Sequence, residues 1–211
     1  MKEATVVIID YGVGNLHSLA RAFVAVGATP YITEDPEIIA NAPRLVLPGV
    51  GAFAAGMHGL ERRGLVTAVT QAAARQIPIL GICLGAQLLL TEGYEFGTFK
   101  GLNLIPGTVE RFPSLPENEK IPHICWNAII QPESQKWENS ILNEQQNKEV
   151  YFVHSYILKP RDPVHVLATT KYGGYEFCSV VRKDKITGCQ FHPEKSGEVG
   201  LRIIRNFSES I

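Results

Sequence analysis

The sequence predicts an α/β fold: a mostly parallel sheet with helices on both faces, to which the second half of the chain adds antiparallel strands. Up to about residue 100, short apolar runs of strand length alternate with segments of helical periodicity, the pattern of βαβ units. Beyond that point Pro and Gly punctuate a series of short β-rich runs. With 211 residues, 45% of them hydrophobic, the chain has the material for a proper core. No linker divides it, so one domain over residues 1–211 is expected.

TVVII (5–9) reads as the first buried strand. Leu16, Leu19, Ala20, Phe23 and Val24 then recur at helical spacing until Gly27 ends the helix. RLVLP (44–48) is a second apolar strand that stops at Pro48 and Gly49. Residues 58–75 are helix-compatible, 78–82 are strand-like, and 86–90 begin another helix. The β-rich runs follow: LNLIPGTVERF, HICWNAII, EVYFVHSYIL, HVLATT, CSVVR and ITGCQFH. Segments 113–120 and 132–148 read as surface loops. A closing helix carries Val199, Ile203 and Phe207 four residues apart.

Composition excludes several function classes. A formal net charge of −1 gives no electrostatic footprint for nucleic acid or for an anionic membrane. No apolar stretch approaches the ~20 residues of a membrane span. The opening MKEATVVIID lacks the apolar core and cleavage site of a signal peptide and reads as the approach to a strand. Four cysteines (Cys83, Cys125, Cys178, Cys189), irregularly spaced and without a CxxC pair, argue for reduced thiols and a cytoplasmic location. His123 with Cys125, and Cys189 with His192, have short spacings, but nothing else has zinc-ribbon spacing, so no metal is expected. Gly12 and Gly14 after a strand superficially suggest dinucleotide binding. His17 stands where a third glycine is needed and Asp10 would repel phosphate, so no cofactor is expected either.

The chemistry concentrates in PILGICLGAQLLL (78–90). Gly-Ile-Cys-Leu-Gly between a strand and a helix has the layout of a nucleophile elbow, with Gly81 and Gly85 removing bulk from a sharp turn. Such a turn lifts Cys83 above the carboxyl edge of the sheet. It also puts the sulfur and the Leu84 N–H at a helix N-terminus, where a thiolate and a developing oxyanion are both stabilised. A small buried cysteine packed between glycines meets the same description, and a partner base has to decide between the two. His17 and His58 fall on helices, where solvated or capping roles suffice. His192 differs: it ends a strand in GCQFHPEKS, Pro193 restricts the backbone after it, and Glu194 follows two residues on. A carboxylate there could accept the ring N–H, fix the tautomer and raise basicity. The reading is a relay of Cys83 as nucleophile, His192 as base and acid, and Glu194 as orienter. A loop histidine beside a surface glutamate remains the alternative.

At these residues the chain resembles a known family. GICLGAQLLL paired with QFHPEKS resembles the signature of class I, triad-type glutamine amidotransferases, which have a flavodoxin-like fold. IDYGVGNLHS, LPGVGAF, PHICWN, YFVHSY and QFHPEKSGEVGLRIIRNF resemble, more narrowly, the glutaminase subunits of imidazole glycerol phosphate synthase, from about residue 5 to the C-terminus. The resemblance implies hydrolysis of glutamine to glutamate and ammonia through a thioester on Cys83. It implies an oxyanion held by the backbone N–H groups of Leu84 and Val50, with Gly51 beside them in the substrate loop. Gln87 would contact the substrate, and Glu95 its ammonium group, with Glu92 and Tyr94 near enough in sequence to leave that assignment open. The backbone around His154, Ser155 and Tyr156 would line the α-amino and α-carboxylate end.

The resemblance also implies a protein partner, a (β/α)8-barrel cyclase that consumes the ammonia in histidine biosynthesis. Asn15, Trp126, Tyr151 and Lys195 match the partner-facing positions. Two positions depart from the pattern: Ala86 stands where a larger residue is usual, and Cys125 where glycine is usual. Neither removes a catalytic group. They leave open a paralogue feeding another synthase, and a stand-alone cysteine hydrolase or an idle binding subunit on the same fold also stays in view.

Overall fold

The computed structural model describes residues 5–116 and 119–209. Residues 117–118 of the loop expected at 113–120, and residues 1–4 of the opening segment, lie outside the described residues. The elements run β1 (Val6–Ile9), α1 (Leu16–Ala25), β2 (Pro30–Thr33), α2 (Pro36–Ala40), β3 (Leu45–Leu47), α3 (Phe53–Arg62), α4 (Leu65–Ala74), β4 (Ile79–Ile82) and α5 (Leu84–Leu88). The second half adds β5 (Glu92–Gly93), β6 (Phe99–Lys100), β7 (Gly107–Arg111), β8 (His123–Ala128), β9 (Glu149–His154), β10 (Tyr156–Pro160), β11 (Val166–Tyr172), β12 (Tyr175–Lys183), β13 (Ile186–Cys189) and α6 (Gly197–Glu209).

The main sheet has the order β2-β1-β3-β4-β13-β12-β10-β7-β5-β6, with β11 on β12. From β2 to β13 the strands are parallel; β12, β10 and β7 follow, each antiparallel to the strand before it, and β5 lies parallel to β7. β1 shows why both faces are covered. Its four residues are all buried, Val7 and Ile9 joining the core beneath α3 and α4, Val6 and Ile8 the core beneath α1 and α6. β8 and β9 form a separate antiparallel ribbon whose Val150 and Phe152 pack into the second core. No helix among the described residues is long and apolar enough to cross a membrane.

Four expectations change. The helix expected over 58–75 is two helices, because Gly64 adopts a left-handed φ of 68° that ends the first and starts the second. The first of these begins earlier, at Phe53, since its N-terminus is capped from a distance: the Phe53 N–H donates to Glu95 Oε2 at 2.7 Å. β2 and α2 were not expected. β2 is a four-residue edge strand opening on proline, and α2 is a single short turn started by Asp35, whose carboxylate accepts from the N–H groups of Glu37 and Ile38. Segment 132–148 is no mere surface loop: Trp137, Ile141 and Leu142 are buried in the α1/α6 core, and Trp137 Nε1 donates to the Leu167 carbonyl at 2.7 Å. EVYFVHSYIL is two strands, not one. The chain bends at Ser155, leaving the ribbon after β9 and entering the main sheet as β10. That corner forms one wall of the site.

Candidate active site

Parallel β4 and β13 are neighbours, so their carboxyl ends deliver Cys83 and His192 to one edge of the sheet, where ligands bind in open α/β folds. Cys83 sits between β4 and α5 at φ 51°, ψ −108°, a strained conformation for a residue with a side chain. Tight packing holds it there. A Cβ on Gly81 would lie 2.8 Å from Ala86 Cα, and one on Gly85 would strike the Leu47 carbonyl. Ala86 is fully buried between Gly81 and Gly188, and a Cβ on Gly188 would come 3.0 Å from that of Ala86. The helix after the elbow is only five residues long, so its macrodipole is weaker than a full helix would supply. The local N–H of Leu84 remains, with no acceptor among the described residues.

The 48–51 loop lies directly on the elbow. A Cβ on Gly49 would come 2.9 Å from Leu84 Cβ and 3.2 Å from Gly85 N. The Tyr11 hydroxyl, fully buried at the end of β1, donates to the Pro48 carbonyl and props the loop from below. Burial holds that phenol protonated. Val50 and Gly51, the latter at φ 106°, are exposed at the mouth.

His192 is 2% exposed and its Nδ1 lies 2.7 Å from Glu194 Oε1, itself on a single 3-10 turn, Pro193–Lys195. Ser196 completes the support: its hydroxyl donates to the His192 carbonyl at 2.7 Å and accepts from the Tyr151 N–H at 3.0 Å. Burial alone would lower the His192 pKa. The Cys83 sulfur and the Glu194 carboxylate outweigh it and hold the ring up to about 9. Nε2 is buried without a hydrogen-bond partner among the described residues.

These groups open on a cleft of about 500 Å³. Val50, Gly51, Cys83, Leu84, Gln87, Glu95, Ser155, Tyr156, His192 and Lys195 all line it. Glu194 stands behind His192, and Glu92 and Tyr94 do not face the cleft, which favours Glu95 among the three. Two side chains are less free than expected. Glu95 spends one carboxylate oxygen on the α3 N-terminus. Gln87 donates its amide protons to the Tyr156 carbonyl and to Gln190 Oε1, both at 3.2 Å, so it braces the cleft floor as well as lining it.

The expected partner-facing residues form a strip beside this cleft. Trp126 is 47% exposed, its ring 6.1 Å from that of Tyr151, and Lys195 Nζ stands 5.9 Å over the Tyr151 ring. Asn15 caps α1 by accepting from the Ser18 N–H, and lines a small crevice with Val50, Glu194 and Lys195. Gln190, Tyr11 and Ser196 went unread in the sequence. Gln190 had a signal: it lies two residues before His192, just past the end of β13, a fully buried polar side chain whose Nε2 is 3.9 Å from Cys83 Sγ.

Among known proteins, the model of the glutamine amidotransferase class-I family matches residues 7–210. The chain is 47% identical over 209 residues to imidazole glycerol phosphate synthase subunit HisH 1 of Legionella pneumophila strain Paris, covering 97% of this chain and 98% of that protein. The HisH subunit of Geobacter metallireducens is 44% identical over 211 residues, 98% of this chain and 99% of its own length. A crystal structure of a glutamine amidotransferase superposes with a TM-score of 0.72 at 17% identity, over 96% of this chain and 98% of that one. PurLQS from Thermotoga maritima gives 0.68 at 16%, over 96% of each chain; likeness at this level speaks for the fold alone. A Cys–His–Glu cleft on a flavodoxin-like sheet, a family match over nearly the whole chain and relatives at almost half identity agree: the chain belongs to the class-I glutamine amidotransferases, in the branch of the HisH subunits.

Proposed function

We propose that this protein is the glutaminase subunit of an imidazole glycerol phosphate synthase, a one-domain cytoplasmic protein that releases ammonia from glutamine for a (β/α)8-barrel cyclase in histidine biosynthesis. Cys83 gives its thiol proton to His192 Nε2 as Sγ attacks the side-chain amide carbon of glutamine, and the carbonyl π pair moves onto oxygen. The N–H groups of Leu84 and Val50 stabilise that oxyanion. As the oxyanion collapses, the C–N bond breaks and the nitrogen takes a proton from His192 Nε2, leaving as ammonia with a glutamyl thioester behind. His192, now neutral, takes a proton from water; the hydroxide adds to the thioester, glutamate departs and Cys83 is restored. Glu194 keeps the second ring proton on Nδ1, so Nε2 is the atom that exchanges protons. Glu95 and the Ser155–Tyr156 corner hold the amino-acid end of the substrate, with Gln87 bracing the floor.

The single observation that carries this reading is the buried His192–Glu194 pair at 2.7 Å, with His192 Nε2 left unpartnered over the cleft that holds Cys83. The strip of Asn15, Trp126, Tyr151 and Lys195 is where the cyclase docks, an exposed tryptophan being a natural anchor. Glutamate release from glutamine, followed with and without a barrel cyclase, tests the proposal. The expected result is a low rate alone, a raised rate with the cyclase, and loss of both in Cys83→Ala. A vigorous rate alone that no cyclase changes would favour a stand-alone hydrolase, and full activity in Cys83→Ala would remove the nucleophile.

A further inference from the structure

The cleft wall facing Cys83 rests on a buried polar chain that the mechanism above does not use. His123 is fully buried and His154 nearly so, and they meet across the β8–β9 ribbon with His123 Nδ1 3.0 Å from His154 Nε2. His154 Nδ1 lies 2.8 Å from the Tyr156 carbonyl oxygen. A carbonyl can only accept, so His154 carries its proton on Nδ1 and presents Nε2 as an acceptor. His123 must therefore donate from its own Nδ1. Its Nε2 is then an acceptor whose one lone pair faces the Asn127 amide at 2.9 Å, with the Cys125 sulfur beside it at 3.1 Å. One direction of donation runs through the whole chain. Burial pushes the His123 pKa down to about 4 and that of His154 to about 3, so both rings stay neutral near pH 7. Stacking of His123 between Tyr172 and Phe152, at 4.0 and 4.9 Å, removes rotational freedom.

The path continues to the reacting sulfur. The Tyr156 carbonyl also accepts from Gln87, Gln87 donates to Gln190, and Gln190 Nε2 turns toward Cys83 Sγ at 3.9 Å. The ribbon that starts the path is two-faced. Strand alternation turns His123, Cys125 and His154 inward and sends Ile124 and Trp126, both about half exposed, outward. Whatever presses on the outer face therefore bears on the same backbone that carries the histidine pair.

We propose that His123 and His154 are positioning residues for the glutaminase site: a fixed pair of neutral tautomers that holds the Tyr156 carbonyl, and through Gln87 and Gln190 the Cys83 sulfur. The catalytic part rests on the glutaminase reading above; the tautomers do not.

Two measurements on the full chain test it. Nitrogen-resolved NMR of the imidazoles should find both rings neutral at pH 7 with the proton on Nδ1. Glutamate release, with and without cyclase, should fall about tenfold in kcat for His154→Leu. His154→Gln, whose amide can both donate to Tyr156 and accept from His123, should recover most of that loss. Thermal melting checks that each variant folds, and His123→Gln against His123→Leu repeats the comparison should His154→Leu not fold. An Nε2-protonated His154, or a folded His154→Leu with wild-type kcat and wild-type response to the cyclase, overturns the proposal. A wild type that releases no glutamate overturns the functional reading instead, and the tautomers alone then decide the hydrogen-bonded chain.

Discussion

Gly85→Ala is the sharpest perturbation of the elbow. The added methyl would lie against the Leu47 carbonyl oxygen, 2.7 Å from the Leu47 carbonyl carbon and 3.1 Å from the Pro48 oxygen, all of them backbone. Ordinary contacts of a Cβ begin near 3.4 Å, so the elbow and the end of β3 must separate by about 1.5 Å. No side chain can turn away to absorb it. Overpacking of that kind costs about 1–3 kcal/mol of stability. A shift of about 1 Å at the nucleophile costs on the order of 100-fold in rate, because Cys83 and the Leu84 N–H move together relative to the 48–51 loop. Urea unfolding and glutamate release on the same preparations read both effects. Gly56→Ala is the matched control, since its methyl meets only the tips of Leu84 and Leu88, at 3.0–3.3 Å, which can rotate. Gly85→Ala with wild-type kcat/KM and an unchanged unfolding midpoint would refute the close-packed elbow.

His192 carries a pH signature. Its pKa is raised from an ordinary value near 6.5 to about 9 on folding, so the folded chain binds the proton more tightly. The stability this contributes is fully present below about pH 6.5 and is lost as pH rises through about 9. Urea midpoints should decline over that window in the wild type and decline less in Glu194→Gln; identical profiles would contradict the coupling of the two side chains. Tyr11→Phe removes the donor to the Pro48 carbonyl. We expect a loss of roughly 1–2 kcal/mol in unfolding and a severalfold fall in kcat, with KM less affected, as the oxyanion loop loosens. Wild-type values in both would dismiss Tyr11 as its prop.

Much of the site was legible because its signals are local and chemical. Two glycines around Cys83, and a carboxylate two residues past His192, are short-range requirements of a sharp turn and of a hydrogen bond. β1, β3 and β4 announced themselves as apolar runs because strands buried on both faces admit little else. What escaped depends on contacts between distant segments. The start of α3 at Phe53 is set by Glu95, 42 residues away. The split of β9 from β10 is set by which sheet each half joins, and no residue at Ser155 marks it in sequence. β2 and α2 were too short for periodicity, although Asp-Pro-Glu at 35–37 is a legible helix start. His154 looked like a strand residue and is one, and Gln190 looked like one but lies just past the end of β13. Only the meeting of three elements turns them into the bracing behind Cys83.

The central claim is that Cys83, activated beside His192, is the nucleophile that meets the glutamine amide. Peptide mass mapping after treatment with a glutamine-mimicking electrophile tests it most directly. Cys83 is 7% exposed, Cys125 is more accessible, and Cys178 and Cys189 are buried. An adduct decided by accessibility would fall on Cys125; one decided by chemistry falls on Cys83. The account predicts a single adduct on Cys83, suppressed by excess glutamine and absent in His192→Ala. Labelling of Cys125, or labelling of Cys83 that neither glutamine nor loss of His192 affects, would contradict it.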